Sequence, residues 1–185
     1  AAITTTQSPK SMPLKDVSLS LQTDINEIRE ITANVVGLLE GNDPVLKNEI
    51  IAIGAHHDHL GYGGAGSGSL KPDTVAVHHG ADDNASGTAG LLELAQAFAA
   101  RKKELKRSVL FLSFSGEEMG LLGSAHYVKA PTLPLEKTVA MLNMDMIGRL
   151  NNKSLIVYGI GTSPGFEELV KKHNRDSMFV LKLNR

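Results

Sequence analysis

Three short apolar runs, Glu49–Ala55 (EIIAIGA), Ser108–Phe114 (SVLFLSF) and Val139–Met144 (VAMLNM), constrain most strongly what this chain can fold into. Each has the length of a strand and is apolar almost throughout, the pattern of strands covered on both faces. The segments between them read as helices. Thr88–Ala100 places Leu91, Leu92, Leu94, Ala95 and Phe98 on a wide apolar face, and Leu121–Lys129 reads as a shorter helix closed by Pro131. Strands alternating with helices predict an α/β fold of three layers, α/β/α, around a mostly parallel central sheet.

The rest of the chain predicts additions to that frame. Val17–Ile25 (VSLSLQTDI) alternates apolar and polar residues, as a half-buried strand does, and is expected to pair antiparallel with a second strand over Thr32–Leu39. Residues 61–74, rich in glycine and serine, read as a surface loop. Ser154–Tyr158 reads as a further buried strand. Ser163 and Pro164 read as the cap and first residue of a helix running to about His173, and Ser177–Leu183 opens as a last strand. Residues 1–16, polar and carrying prolines, predict an extended lead-in to one domain over 17–185.

Composition narrows the chemistry. A net charge of −1 with no long run of one sign argues against a nucleic-acid partner or a polybasic membrane surface. No apolar run approaches the roughly 20 residues of a membrane span. There is no cysteine, so any metal must be held by His, Asp and Glu, a set that suits zinc or another divalent cation.

Ligands of open α/β sheets bind beyond the carboxyl ends of the strands, and the acid and His clusters of this chain fall there. They are His56-His57-Asp58-His59, Asp82-Asp83 at a helix entrance, Glu117-Glu118, and Asp145. Each has an ordinary reading taken alone. The histidines suit a polar strand end, Asp82 and Asp83 a helix start, Ser115–Glu118 a capping box, and Asp145 a cap or turn. Together they would mass carboxylates that repel unless a cation holds them. His56 and Asp58, two apart on a strand, can point the same way, with His56 as ligand and Asp58 orienting its ring. His59, His78, His79 and Arg149 are read as neighbours of the clusters and not as ligands.

The motifs GAHHDHLG, GADDNASGTAGLLELA, SFSGEEMGLLGS and NMDMIGR, in that order, resemble the zinc aminopeptidases of the bacterial leucyl aminopeptidase type, a group that includes glutamate carboxypeptidase II and the transferrin receptor. The resemblance covers roughly Thr32–Met146. It implies a metal-dependent exopeptidase acting on peptides or amino-acid derivatives, with two zinc ions bridged by Asp82. His56 and Asp145 match the other ligands of one ion, Glu118 a ligand of the second, Glu117 the general base, and Asp58 the carboxylate behind the His ligand. A cis peptide of the family maps to Asp82-Asp83. The family's second ion takes a further His from a motif well beyond the strand bearing Asp145, and the sequence through Arg185 does not contain that motif. The expectation is therefore a C-terminally incomplete catalytic domain with its last strands missing, one firmly held zinc, a second held weakly or not at all, and impaired turnover. The resemblance favours a secreted or periplasmic setting. Other readings of the scaffold are a binding module without activity, or carboxypeptidase or glutaminyl cyclase chemistry. A nucleotide-binding domain is disfavoured, because His56-His57-Asp58 stands where a glycine-rich phosphate loop would follow the first buried strand.

Overall fold

A computed structural model of the chain describes residues 7–9, 11–13, 15–26 and 29–185. The chain divides into two units, Ala1–Ile31 and Thr32–Arg185. The described residues of the first unit form neither helix nor strand. The strand expected over Val17–Ile25 is thus not formed, and Val17, Leu19, Leu21 and Ile25 are all exposed. Alternation favours a strand only where a neighbouring backbone and a covered face take it up. The lead-in expected over residues 1–16 lies partly outside the described residues.

The second unit contains strands β1 (Val35–Leu39) and β2 (Ile50–His56), helix α1 (Gly87–Ala100), β3 (Ser108–Phe114), α2 (Leu122–Lys129) and β4 (Thr138–Asn143). β5 (Ser154–Val157), α3 (Phe166–His173) and β6 (Val180–Leu183) follow. The first four strands form one sheet in the order β1-β3-β2-β4. β2 runs parallel to both β3 and β4, while β1 is antiparallel to β3, from Val35 opposite Ser113 to Leu39 opposite Val109. The edge partner of β1 is therefore β3 and not the 17–25 segment. β5 and β6 form a separate parallel pair.

Side-chain alternation along the central strands builds a core on each face of the sheet. Ile50, Ala52, Leu110, Leu112 and Phe114 pack on one face with Tyr127 of α2. Ile53, Ala55, Val109 and Phe111 pack on the other with Leu91, Leu94 and Phe98 of α1. This is why β2 and β3 read as continuous apolar runs: each face has its own helix. Leu110 and Leu112 are almost fully buried, each a gain of about 1.5–3 kcal/mol over exposure. α3 starts at Phe166 with Gly165 as its N-cap and no side-chain capping bond, so Ser163 and Pro164 lie in the turn before it, where the Phe166 N–H donates to the Ser163 carbonyl, and are not its cap and first residue. Among the described residues no helix is long and apolar enough to cross a membrane.

Candidate metal centre

β2 is flanked by a parallel strand on each side, and its last residue is His56. The His56 ring is 2% exposed. Its Nδ1 lies 3.2 Å from the backbone oxygen of Asp58 and 3.7 Å from that residue's carboxylate. A carbonyl only accepts, so Nδ1 carries a proton, and in the neutral ring Nε2 is a bare lone pair. That Nε2 is buried and has no hydrogen-bond partner. Around it stand Asp83 Oδ1 at 3.3 Å, Asp145 Oδ1 at 3.5 Å and Glu117 Oε2 at 3.8 Å. An orphaned lone pair aimed at three carboxylates is the arrangement a bound divalent cation satisfies.

Glu117 follows the end of β3, Asp145 follows the end of β4, and Asp83 stands in the segment that leads into α1. Beyond β3, Gly116 adopts φ +67° and Glu117 closes a tight turn, its carbonyl accepting from Gly120 and Leu121. Ser115–Glu118 therefore form this turn and not a capping box, since α2 begins only at Leu122. The Glu117 N–H donates to both oxygens of Asp58, at 3.1 and 3.3 Å, so Asp58 holds the backbone of Glu117 while facing the His56 ring. The pairing of β4 with β2 is prolonged by Met144 N–H donating to Gly54 at 2.9 Å, which brings Asp145 to the same edge.

The segment between Gly80 and Gly87 decides which of its two acids faces inward. Gly80 is left-handed (φ +59°), and a Cβ there would stand 2.9 Å from the Asp83 carbonyl and 3.0 Å from His59 Cβ, so the close approach requires glycine. Asn84 is 1% exposed. Its Nδ2 donates to Met144 O at 3.0 Å, and its Oδ1 accepts from Gly87 at 3.0 Å and from Met146 at 3.3 Å. Asn84 thus clamps the chain on both sides of Asp145. The Asp82 carboxylate turns away from His56 to accept from Gly148 N–H and Arg149 Nε, both at 2.7 Å. The Arg149 bond holds its pKa below the usual carboxylate range. The place expected for Asp82 is occupied by Asp83. The cis peptide is likewise one residue later than expected, at Asp83-Asn84.

Glu118 lies beside a residue expected to play no part. His59 Nδ1 is 2.6 Å from Glu118 Oε1 and 3.8 Å from Asp83 Oδ2. Strand alternation singled out His56 and Asp58, but His59 lies past the strand end, where that rule no longer tells which way a side chain points. Among the described residues two groups of atoms could each hold a metal ion, His56 with Glu117 and Asp145, and His59 with Asp83 and Glu118, each spanning no more than 4.8 Å. Imidazole and carboxylate donors without thiolate fit zinc or a similar divalent ion. Burial pushes the Glu117 carboxyl up; His56 opposes the shift, and the charges of Glu118, Asp145 and Asp83 add to it. His57 is turned outward to Ser113 Oγ at 2.9 Å. The loop after His59 is closed at its base by Ala76 N–H to Tyr62 O (2.8 Å) and His78 N–H to Gly61 O (2.7 Å).

Comparison with known proteins places this arrangement in a family. The chain is 32% identical over 148 residues to probable leucine aminopeptidase 2 of Aspergillus oryzae, covering 80% of this chain and 26% of that protein. It is 34% identical over 154 residues to an aminopeptidase of Pseudomonas aeruginosa, covering 82% of this chain and 25% of that one. A solved aminopeptidase from Aneurinibacillus sp. strain AM-1 superposes with a TM-score of 0.59 at 28% identity, over 82% of this chain and 34% of that structure. The chain thus spans between a quarter and about a third of the length of these relatives. The model of one family, Peptidase family M28, matches residues 34–181, so that nearly the whole of the second unit carries the family's pattern, and the chain belongs to peptidase family M28.

Proposed function

We propose that this chain carries the metal site and general base of a zinc-dependent exopeptidase of the aminopeptidase type. The observation that carries the reading is the buried, unpartnered Nε2 of His56 facing the carboxylates of Asp83, Asp145 and Glu117. His56, Asp83 and Asp145 would hold one ion, with Asp83 in the bridging place first expected of Asp82, and Glu118 would face a second. When bound there, a divalent ion would supply a more acidic water and a polarised scissile carbonyl.

The chain's own residues supply the proton handling and the alignment. Glu117, whose carboxyl pKa is raised by burial in the metal-free chain, stands where it would take a proton from water and return it to the leaving amine. Asp58 fixes the position of Glu117 through its amide and the tautomer of His56 through Nδ1. The names of the relatives support peptides with a free amino terminus as substrates.

The experiment is hydrolysis of leucine p-nitroanilide and of short peptides by the chain reconstituted with zinc. Turnover that is lost with a chelator, restored by zinc and reduced at least about 100-fold by Glu117→Gln supports the reading. Turnover indifferent to chelator, or unchanged in Glu117→Gln, overturns it.

A further inference from the structure

We infer that Asn34 is a positioning residue for Glu117, holding the turn that carries the general base closed at both ends. The inference rests on the proposed role of Glu117 and adds to it a residue outside the metal centre. In the four-stranded sheet β1 runs opposite to β3, with Val35 beside Ser113, while β2 runs parallel to both β3 and β4. The start of β1 therefore lies where β3 ends, and residues that precede β1 stand beside residues that follow β3. Asn34 reaches the carboxyl edge of the sheet in this way, from the amino end of a strand, although sites at that edge are sought after strand ends.

The Asn34 amide bridges two backbone groups. Its Oδ1 accepts from the Ser115 N–H at 3.1 Å, and its Nδ2 donates to the Gly123 carbonyl at 2.8 Å. One partner can only donate and the other only accept, so the amide has a single orientation and the position needs a side chain with both functions. Ser115 and Gly123 bound the turn that carries Glu117 and Glu118, Ser115 just past β3 and Gly123 in the first turn of α2. Gly123 is buried, and a Cβ there would overlap both the Ser115 carbonyl and Asn34 Oδ1, so the two ends meet at backbone contact. Thr32 adds a second tie, its Oγ1 lying 2.6 Å from Ser115 Oγ. Both bonds of Asn34 end on backbone atoms, so it acts on Glu117 through the chain. Without them the turn would be held by the Gly120 and Leu121 N–H groups on the Glu117 carbonyl, by Leu122 N–H on the Gly116 carbonyl, and by Asp58. The rival reading is that Asn34 stabilises the fold alone, with no effect specific to the turn.

Two measurements on the 185-residue chain separate these readings. Asn34→Asp keeps an acceptor for Ser115 but sets an oxygen against the Gly123 carbonyl, and Asn34→Leu keeps volume alone; circular dichroism checks that both are folded. In the metal-free chain, amide exchange at Gly120, Leu121 and Leu122 should become at least about 10-fold faster in both variants relative to the amides of β2. In the chain reconstituted with zinc, kcat for leucine p-nitroanilide should fall roughly 10- to 100-fold, with KM changed by no more than about threefold. Leu110→Ala, which lowers stability away from the turn, should leave kcat of the folded fraction within about threefold. Exchange at the three amides that rises no more than in β2 would overturn the inference. So would wild-type kcat in both Asn34 variants, or an equal loss of kcat in Leu110→Ala. The functional reading fails separately: wild-type turnover that is absent, or that Glu117→Gln leaves unchanged, overturns that reading and the role of Asn34 with it.

Discussion

Asp82 and Asp83 are adjacent in the chain yet serve different partners: Asp82 accepts from Gly148 and Arg149 at 2.7 Å each, while Asp83 stands 3.3 Å from His56 Nε2. The two substitutions should therefore separate cleanly. Asp83→Asn is expected to lower zinc affinity by more than the roughly 10- to 100-fold range of outer-shell changes, and Asp82→Asn to fall at the lower end of that range. Isothermal titration of both variants checks the order, and a larger loss in Asp82→Asn would reverse the assignment.

Asn84 acts as a structural clamp. Truncation to Ala strands the Met144 carbonyl and the Gly87 N–H in a buried site, where each unsatisfied group costs about 1–3 kcal/mol. Asn84→Ala should destabilise the metal-free chain by about 2–4 kcal/mol in urea unfolding. Asn84→Leu, which restores volume without hydrogen bonds, should not recover the loss. If Leu does recover it, the clamp is packing and not hydrogen bonding.

Glu117 sets the sign of a pH effect. Burial first, then neighbouring acids, raise its folded pKa above the ordinary glutamate value. A raised acid binds its proton more tightly folded than unfolded. Its stabilising contribution in the metal-free chain is therefore present below the unfolded pKa and lost as pH rises through the folded one. Carboxyl NMR should place the Glu117 midpoint above that of a free glutamate. Glu118→Gln should lower it without returning it to the ordinary value, because burial is the larger cause. A midpoint at or below the ordinary value would contradict the geometry.

The core behaves independently of the site. Leu110 is 1% exposed at the centre of one face, so Leu110→Ala should cost about 2–5 kcal/mol of stability. Zinc affinity of the folded fraction should stay within about threefold, since distant sites add. A parallel loss of affinity would show that the sheet and the site are coupled through that face.

The frame of the fold was legible because β2 and β3 are buried on both faces and read as continuous apolar runs, although β4 carries the same pattern with Val139, Met141 and Leu142 about half exposed. The edges were less legible. Val17–Ile25 has the alternation of a strand but remains exposed, since period alone does not provide a neighbour. The cluster positions at strand ends, His56, Asp58, Glu117, Glu118 and Asp145, followed from strand direction. Choosing between Asp82 and Asp83 did not, because that choice turns on a left-handed Gly80 and the bonds of a buried Asn84. The sequence reads His59 only as a neighbour of the clusters, because beyond a strand end backbone turns decide where a side chain points, and here they set it 2.6 Å from Glu118.

Among the described residues β4, which delivers Asp145, pairs with β2 alone, and its Val139, Met141 and Leu142 are about half exposed. Margins of a sheet open at lower free energy than its centre. An ion gripped by both Asp145 and His56 would bind the margin to the midline, acting as a lateral fastener. At 100 times its dissociation constant such an ion adds about 2.7 kcal/mol against any opening that releases it. Amide exchange along β4 would then become a gauge of free metal concentration, and the proposed site would double as the rivet of its own scaffold.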